Sequence, residues 1–175
     1  MSNRNAGKNN LRRSGGTGSS SGTISQTGHV SLSQRDRELL DTVKPIVTGF
    51  AALFGNNCEI VLHSFEDLGN SVIHIENAHV TGRSVGSPIT DLGMEVLERA
   101  EKTGEDVLSG YFTKTRDGRA LKSATIMIRN RNNKPIGMVC VNFDLSIPLI
   151  DAITPFVSAT AVSIPPRENF ALTAQ

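Results

Sequence analysis

Two hydrophobic rhythms organise the chain from about residue 33 onward. Leu39, Leu40, Val43, Ile46, Val47, Phe50 and Leu53 recur at i, i+3 and i+4, which on a helix forms one apolar stripe. Ser33 is placed to cap that helix and Gly55 to end it. Pro45 lies inside the pattern and lacks an N–H, which predicts a kink or two helical pieces. A turn at Asn56-Asn57 then leads into residues 58–65 and 71–76, short runs rich in Ile and Val. Residues 66–70 between them carry hairpin-loop residues, so the two runs predict antiparallel strands.

Gly82, Gly86 and Pro88 punctuate the next stretch. Thr90 or Asp91 is placed to cap a second helix whose apolar positions Met94, Leu97 and Ala100 recur every three residues, ending near Thr103 with Gly104 as its stop. Residues 111–114 predict a third strand, turned at Asp117-Gly118. Residues 120–129 and 134–143 form a long hairpin around 130–133. An apolar helix from Ser146 through Ile150, Ile153 and Val157 follows, bent at Pro155 and ended by Pro165-Pro166. Strands and helices do not alternate one by one and no repeat is visible, so the pattern predicts an α+β fold with helices on an antiparallel sheet.

The last hairpin makes a sharper prediction. An even-length turn at Asn132-Asn133 pairs Met127 with Met138, Thr125 with Cys140 and Ser123 with Asn142, all on one face. An odd-length turn would change that register. The half-polar face suits either a small-molecule pocket, with a few directional groups among apolar walls, or a sheet face open to water. Ala124, Ile126, Ile128, Val139, Val141 and Phe143 fall on the opposite face, which is apolar and needs cover from the first helix or another subunit.

Composition narrows the class. At 175 residues the chain holds one domain with tails. Residues 1–31 are rich in Gly, Ser, Asn and Thr and are expected to be a disordered leader, with the domain over 32–160 and a tail over 161–175. Arg4, Lys8, Arg12 and Arg13 would give the leader at most a weak, salt-sensitive hold on phosphate. With 18 basic and 17 acidic residues the net charge is +1, which provides no whole-molecule field for nucleic acid. No stretch approaches the roughly 20 apolar residues of a membrane span, and no secretory signal is present, so a cytoplasmic protein is expected. Cys58 and Cys140 lie in apolar strand runs without paired spacing, which argues against a disulfide framework and against a nucleophile.

The remaining chemistry is sparse. His63, His74 and His79, with Glu59, Glu76 and Cys58 nearby, lack any HxH, HExxH or CxxC spacing, so no metal site is expected. The loop Gly82-Arg83-Ser84-Val85-Gly86-Ser87 does not match a nucleotide-binding loop, and Asp91, Asp117 and Asp144 fit cap or turn roles, so no catalytic group is assigned. Arg83 could set a bidentate fork over a carboxylate-bearing ligand with Lys122 as a second cation; the alternative is a solvated pair.

Three blocks carry a family resemblance. They are Phe54-Gly55-Asn56-Asn57-Cys58-Glu59-Ile60-Val61-Leu62-His63, then Asn77-Ala78-His79-Val80-Thr81-Gly82-Arg83-Ser84-Val85-Gly86, then Leu121-Lys122-Ser123-Ala124-Thr125 leading to Ile136-Gly137-Met138-Val139-Cys140-Val141-Asn142-Phe143-Asp144. The chain resembles the YheO-type PAS family over about residues 39–150. The resemblance implies a PAS-like fold, a five-stranded antiparallel sheet with flanking helices, that serves as the sensor of a transcription regulator whose helix-turn-helix binds DNA. It also implies a pocket near His63, Asn77, Arg83, Lys122, Ser123 and Asn142, which Thr125 and Cys140 join from the hairpin face. Ala124 stands where the family pattern has serine. The residues after Asp144 leave no room for a helix-turn-helix in this chain. The expected function is therefore ligand sensing by a non-enzymatic, homodimeric domain, with a ligand-free dimerisation or scaffolding module as the alternative. Neither ligand nor cofactor is specified by these residues.

Overall fold

The computed structural model describes residues 31–157. The leader, apart from Ser31, and the tail lie outside the described residues, as do Pro165-Pro166.

Helix α1 (Gln34–Phe54) opens with a capping box: the Ser33 hydroxyl accepts from the Asp36 N–H, and the Asp36 carboxylate accepts from the Ser33 N–H. The helix runs unbroken through Pro45. Pro45 is exposed, so the Asp41 carbonyl that it leaves without a helical donor faces water and the helix need not divide. The apolar stripe is divided instead. Leu40, Val47 and Ala51 are buried, whereas Leu39, Ile46, Phe50 and Leu53 are exposed.

Five strands follow: β1 (Cys58–Ser64), β2 (Val72–Glu76), β3 (Val107–Lys114), β4 (Ala120–Arg129) and β5 (Pro135–Asp144). They form one antiparallel sheet in the order β2-β1-β5-β4-β3. Helix α2 (Asp91–Thr103) lies between β2 and β3 in the chain, capped by Thr90 and stopped by Gly104 in the left-handed conformation. Helix α3 (Leu149–Val157) starts after Pro148 and passes through Pro155, which packs on Gly55. Strand β3 begins four residues earlier than the sequence pattern suggests, because Gly110, at φ 74°, forms a bulge inside the strand where the pattern reads punctuation.

The hairpin register is that of the even-length turn: Met127 pairs with Met138, Thr125 with Cys140 and Ser123 with Asn142. Strand β1 lies inside the sheet, between β2 and the central β5, and is buried on both faces. On one face α1 approaches β5 so closely that a Cβ on Gly137 would collide with Leu40 and the His63 carbonyl. On the other, Gly93 of α2 lies so near Met138 that a Cβ there would meet the Met138 methyl at 3.0 Å. Helix α1 covers only part of its face: Ile126 and Phe112 remain exposed, and Val139, Val141 and Phe143 are only half-buried. No described helix is long and apolar enough to cross a membrane.

Candidate functional site

The face of β3, β4 and β5 that bears the polar pairs is the floor of a cleft of about 470 Å³. Tyr111, Thr113, Leu121, Thr125, Cys140 and Asn142 contribute to the floor. The wall comes from the loop after β2, through Thr81, Gly82, Arg83 and residues 87–90, and from Leu92 and Gly93 in the first turn of α2. Lys114, Thr115 and Arg116, at the turn from β3 to β4, border one end. The dimensions and mixed lining are those of a small-molecule site.

A hydrogen-bonded chain beneath the floor fixes its polar groups. Thr113 and Ser123 hydroxyls meet at 3.0 Å, Ser123 donates to Asn142 Oδ1 at 2.8 Å, and Asn142 Nδ2 donates to Glu59 Oε1 at 3.0 Å. Glu59 is fully buried, and its other oxygen accepts from the Thr81 hydroxyl at 2.5 Å and the Thr81 N–H at 3.2 Å. The wall is thus tied to β1 and through Asn142 to the floor. In parallel, the Tyr111 and Thr125 hydroxyls are 2.7 Å apart, and Thr125 reaches Cys140 Sγ at 3.5 Å. Burial pushes the Tyr111 phenol above its ordinary range, so it stays protonated at neutral pH.

Arg83 is held from behind. Its Nη2 donates to the Pro88 carbonyl at 3.0 Å and faces His63 Nε2 at 3.5 Å. The guanidinium only donates, so Nε2 accepts and the His63 proton sits on Nδ1, 2.8 Å from the Ser71 hydroxyl. His63 is 1% exposed; burial first, then the adjacent Arg83 charge, pushes its pKa down to about 3. The ring is therefore a neutral support for Arg83. At the outer corner, Arg119 pairs with Asp144 and donates to the Val80 carbonyl at 2.7 Å, tying the start of β4 to the loop ahead of Thr81.

The eight residues expected at a pocket divide by position. Arg83, Thr125, Cys140 and Asn142 line the cleft, with His63 and Ser123 directly behind the lining. Asn77 and Lys122 lie elsewhere. Asn77, at φ 54°, turns its amide away to donate to the Gly55 carbonyl at 3.0 Å and the Cys58 carbonyl at 2.7 Å, closing the end of β2 onto the start of β1. Lys122 alternates to the opposite face, where it borders a second groove with Phe54, Val141 and Phe143. Tyr111, Thr113, Lys114 and Arg116 are additional cleft residues, and Glu59 and Thr81 form the link behind it. Alternation along β3 was the available signal for Tyr111 and Thr113. For Glu59 the signal was an acidic residue directly ahead of the apolar run Ile60-Val61-Leu62 of an interior strand.

Of the groups considered for metal or nucleophilic chemistry, His74 pairs with Glu76 and with the Thr48 hydroxyl on the α1 side. Among the described residues no three His, Cys, Asp or Glu side chains are grouped to hold a metal ion. Burial and the neighbouring Glu59 push the Cys58 thiol up to about 11, so it is a protonated core thiol at neutral pH.

A family model described as a YheO-like PAS domain matches residues 33–158. The uncharacterized protein YheO of Escherichia coli (strain K12) is 41% identical over 138 residues, spanning 79% of this chain and 58% of that protein. An uncharacterized protein of Haemophilus influenzae is 38% identical over 140 residues, 80% of this chain and 62% of its own length. The transcriptional regulator DauR of Pseudomonas aeruginosa is 26% identical over 108 residues, 62% of this chain and 48% of DauR. This chain thus spans less than two thirds of each of these proteins. Among solved structures, the PAS domain of the fruit-fly ELK potassium channel matches with a TM-score of 0.41 and 16% identity, covering 62% of this chain and 98% of that one. With the family model spanning all three described helices and the whole sheet, this chain belongs to the YheO-like PAS domain family.

Proposed function

We propose that this chain is the cytoplasmic ligand-sensing domain of a YheO-type transcription regulator, acting without catalysis, and that the cleft between the sheet and the Thr81–Thr90 wall is its ligand site. One observation carries the reading: a cleft of about 470 Å³ is lined by polar groups whose orientations are fixed from behind by a buried hydrogen-bond chain. Such preorganisation favours a specific ligand over a loosely solvated surface. Arg83, Thr125, Cys140 and Asn142 would meet the ligand, with His63 and Ser123 holding Arg83 and Asn142. DNA contact falls to a helix-turn-helix outside residues 31–157, and the similarity to DauR supports that assignment of role.

The same domain is proposed to act as a homodimer. Helix α1 exposes Ile46, Phe50 and Leu53, helix α3 exposes Leu149, Ile150, Ile153 and Phe156, and the adjoining sheet exposes Ile126 and Phe112. Exposed apolar side chains of this number are favourable to bury against a second copy. They also support the second reading, a dimerisation module with no ligand. A thermal-shift screen of the purified chain against amino acids, small carboxylates, nucleobases and metal ions separates the two, because a ligand that binds only the folded state raises its melting temperature. A saturable shift lost in Arg83→Ala supports the sensor. A melting temperature that responds to protein concentration and to no compound supports the module.

A further inference from the structure

We propose that the cleft takes a small organic anion, bound through a carboxylate or phosphate group between Arg83 and Arg116. This rests on the sensor reading above and names the ligand class of that site.

The charge of the cleft is one-sided. The whole chain is nearly neutral at +1, yet Arg83, Lys114 and Arg116 border the cleft and no Asp or Glu lines it. Asp91, exposed between Thr90 and Leu92, does not itself line the cleft, and the carboxylates of the β3–β4 turn and behind the floor are committed elsewhere. Asp117 accepts from Thr115 and from Arg119 Nε at 2.9 Å, Asp144 accepts from Arg119 and from Ser146, and Glu59 accepts from Asn142 and Thr81. Lys114 and Arg116 make no ion pair among the described residues. Like charges facing one space repel one another, and an anion between them relieves that repulsion.

The geometry of Arg83 adds direction. The Pro88 carbonyl and His63 engage its Nη2 alone, so Nε and Nη1 have no partner among the described residues and remain available to an oxyanion. A guanidinium fixed in this way presents its donors without first losing side-chain freedom. The neutral state of His63 leaves the Arg83 charge unopposed but not doubled. Tyr111 and Thr125 offer hydroxyls to the rest of the molecule, and Ile89 and Leu121 bound its apolar part. A cationic ligand would be repelled by this lining, and a neutral one would leave its cations unused.

The test is titration calorimetry on the whole chain with two anionic series, short mono-, di- and tricarboxylates and phosphomonoesters, beside the corresponding neutral amides and diamines. The expected result is saturable binding from an anionic series that weakens as salt rises. Arg83→Gln and, independently, the exposed Arg116→Gln should each weaken it by about tenfold or more. Binding by carboxylates or by phosphomonoesters identifies which oxyanion the site prefers. Binding by amides or diamines that both substitutions leave unchanged overturns the anion class while the sensor reading stands. Anion binding that neither substitution weakens overturns the assigned site. Absence of binding by every compound of either charge overturns the inference and the sensor reading together.

Discussion

Replacing Glu59 by Ala removes the acceptor that joins Thr81 of the cleft wall to β1 and, through Asn142, to the floor. Its carboxyl takes hydrogen bonds from Asn142 Nδ2 at 3.0 Å, the Thr81 N–H at 3.2 Å and the Thr81 hydroxyl at 2.5 Å, and the side chain is fully buried. A buried donor left without an acceptor costs about 1–3 kcal/mol. The Thr81 hydroxyl can rotate, and Thr81 and Asn142 are only half-buried, so water reaches part of the deficit. The expected loss for Glu59→Ala is therefore about 3–5 kcal/mol, less than three full penalties. At this domain size that lowers the melting temperature by roughly 10–20 °C. Glu59→Gln keeps the shape and one acceptor but puts an N–H against a donor. Asn142 can turn its amide over to accept only if Ser123 then accepts from Asn142 and donates to Thr113, an inversion the hydroxyls permit. Its cost should be about 1–2 kcal/mol. Urea unfolding followed by far-ultraviolet circular dichroism is the assay, since the chain has no Trp. A Glu59→Ala midpoint within about 1 kcal/mol of the parent would refute the linking role.

His63 carries a pH prediction: its folded pKa is pushed from 6.5 to about 3, so below pH 6.5 the unfolded chain takes up a proton that the folded one refuses. That contribution is full above pH 6.5 and is lost as pH falls toward 3. Between pH 7 and pH 5 it amounts to about 2 kcal/mol, which urea titrations should show in the parent but not in His63→Gln. Gly137→Ala should cost about 1–3 kcal/mol, because its Cβ would collide with Leu40 and the β1 backbone; a midpoint equal to the parent's would contradict the close approach of α1. Phe50→Glu puts a charge on the exposed stripe of α1, where Phe50 is 51% exposed and stacks on Phe54. If the proposed dimer uses this stripe, light scattering should report the mass of two chains for the parent and of one for Phe50→Glu, with far-ultraviolet dichroism unchanged.

Local rules recovered the elements because each carried its own signal. Ser33 and Thr90 cap the helices they precede, Gly104 ends α2, and the even-length turn sets the β4–β5 register that brings Ser123 beside Asn142. Three features depended on information the local pattern lacks. Gly110 marks a bulge inside a strand and Pro45 is tolerated on the outer side of a helix, and both depend on which side meets solvent. The placement of Asn77 depends on a backbone φ of 54° and on carbonyls nineteen and twenty-two residues away. Lys122 was separable in principle: strand alternation alone places it opposite Ser123, and the expectation of a pocket cation overrode that rule. Arg116, the cation that does border the cleft, sits in a turn whose sequence looks like any solvated loop.

Strand β5 connects the two faces over a single peptide. Gly137 meets Leu40 of α1, and its neighbour Met138 meets Gly93 of α2, whose first turn also forms part of the cleft wall. The Gly137 site has no room for an added methyl, whereas α2 presses on β5 through the Met138 methyl, so a shift of α2 toward the sheet reaches the strand by way of that side chain. In the sensor reading proposed above, a ligand drawn against Leu92 and Arg83 bears on α2, and α2 bears on Met138. The preceding residue of the strand, Gly137, is the one against which Leu40 of α1 packs. Helix α1 in turn carries the exposed stripe proposed for the dimer, so occupation of the cleft and the alignment of the two copies would share β5 as their mechanical link. A ligand biases that alignment only by the difference in its affinity for the two arrangements. The hydrogen-bond chain from Thr113 to Thr81 is what would make that difference appreciable, because it spans the floor, β1 and the wall and resists their separate movement.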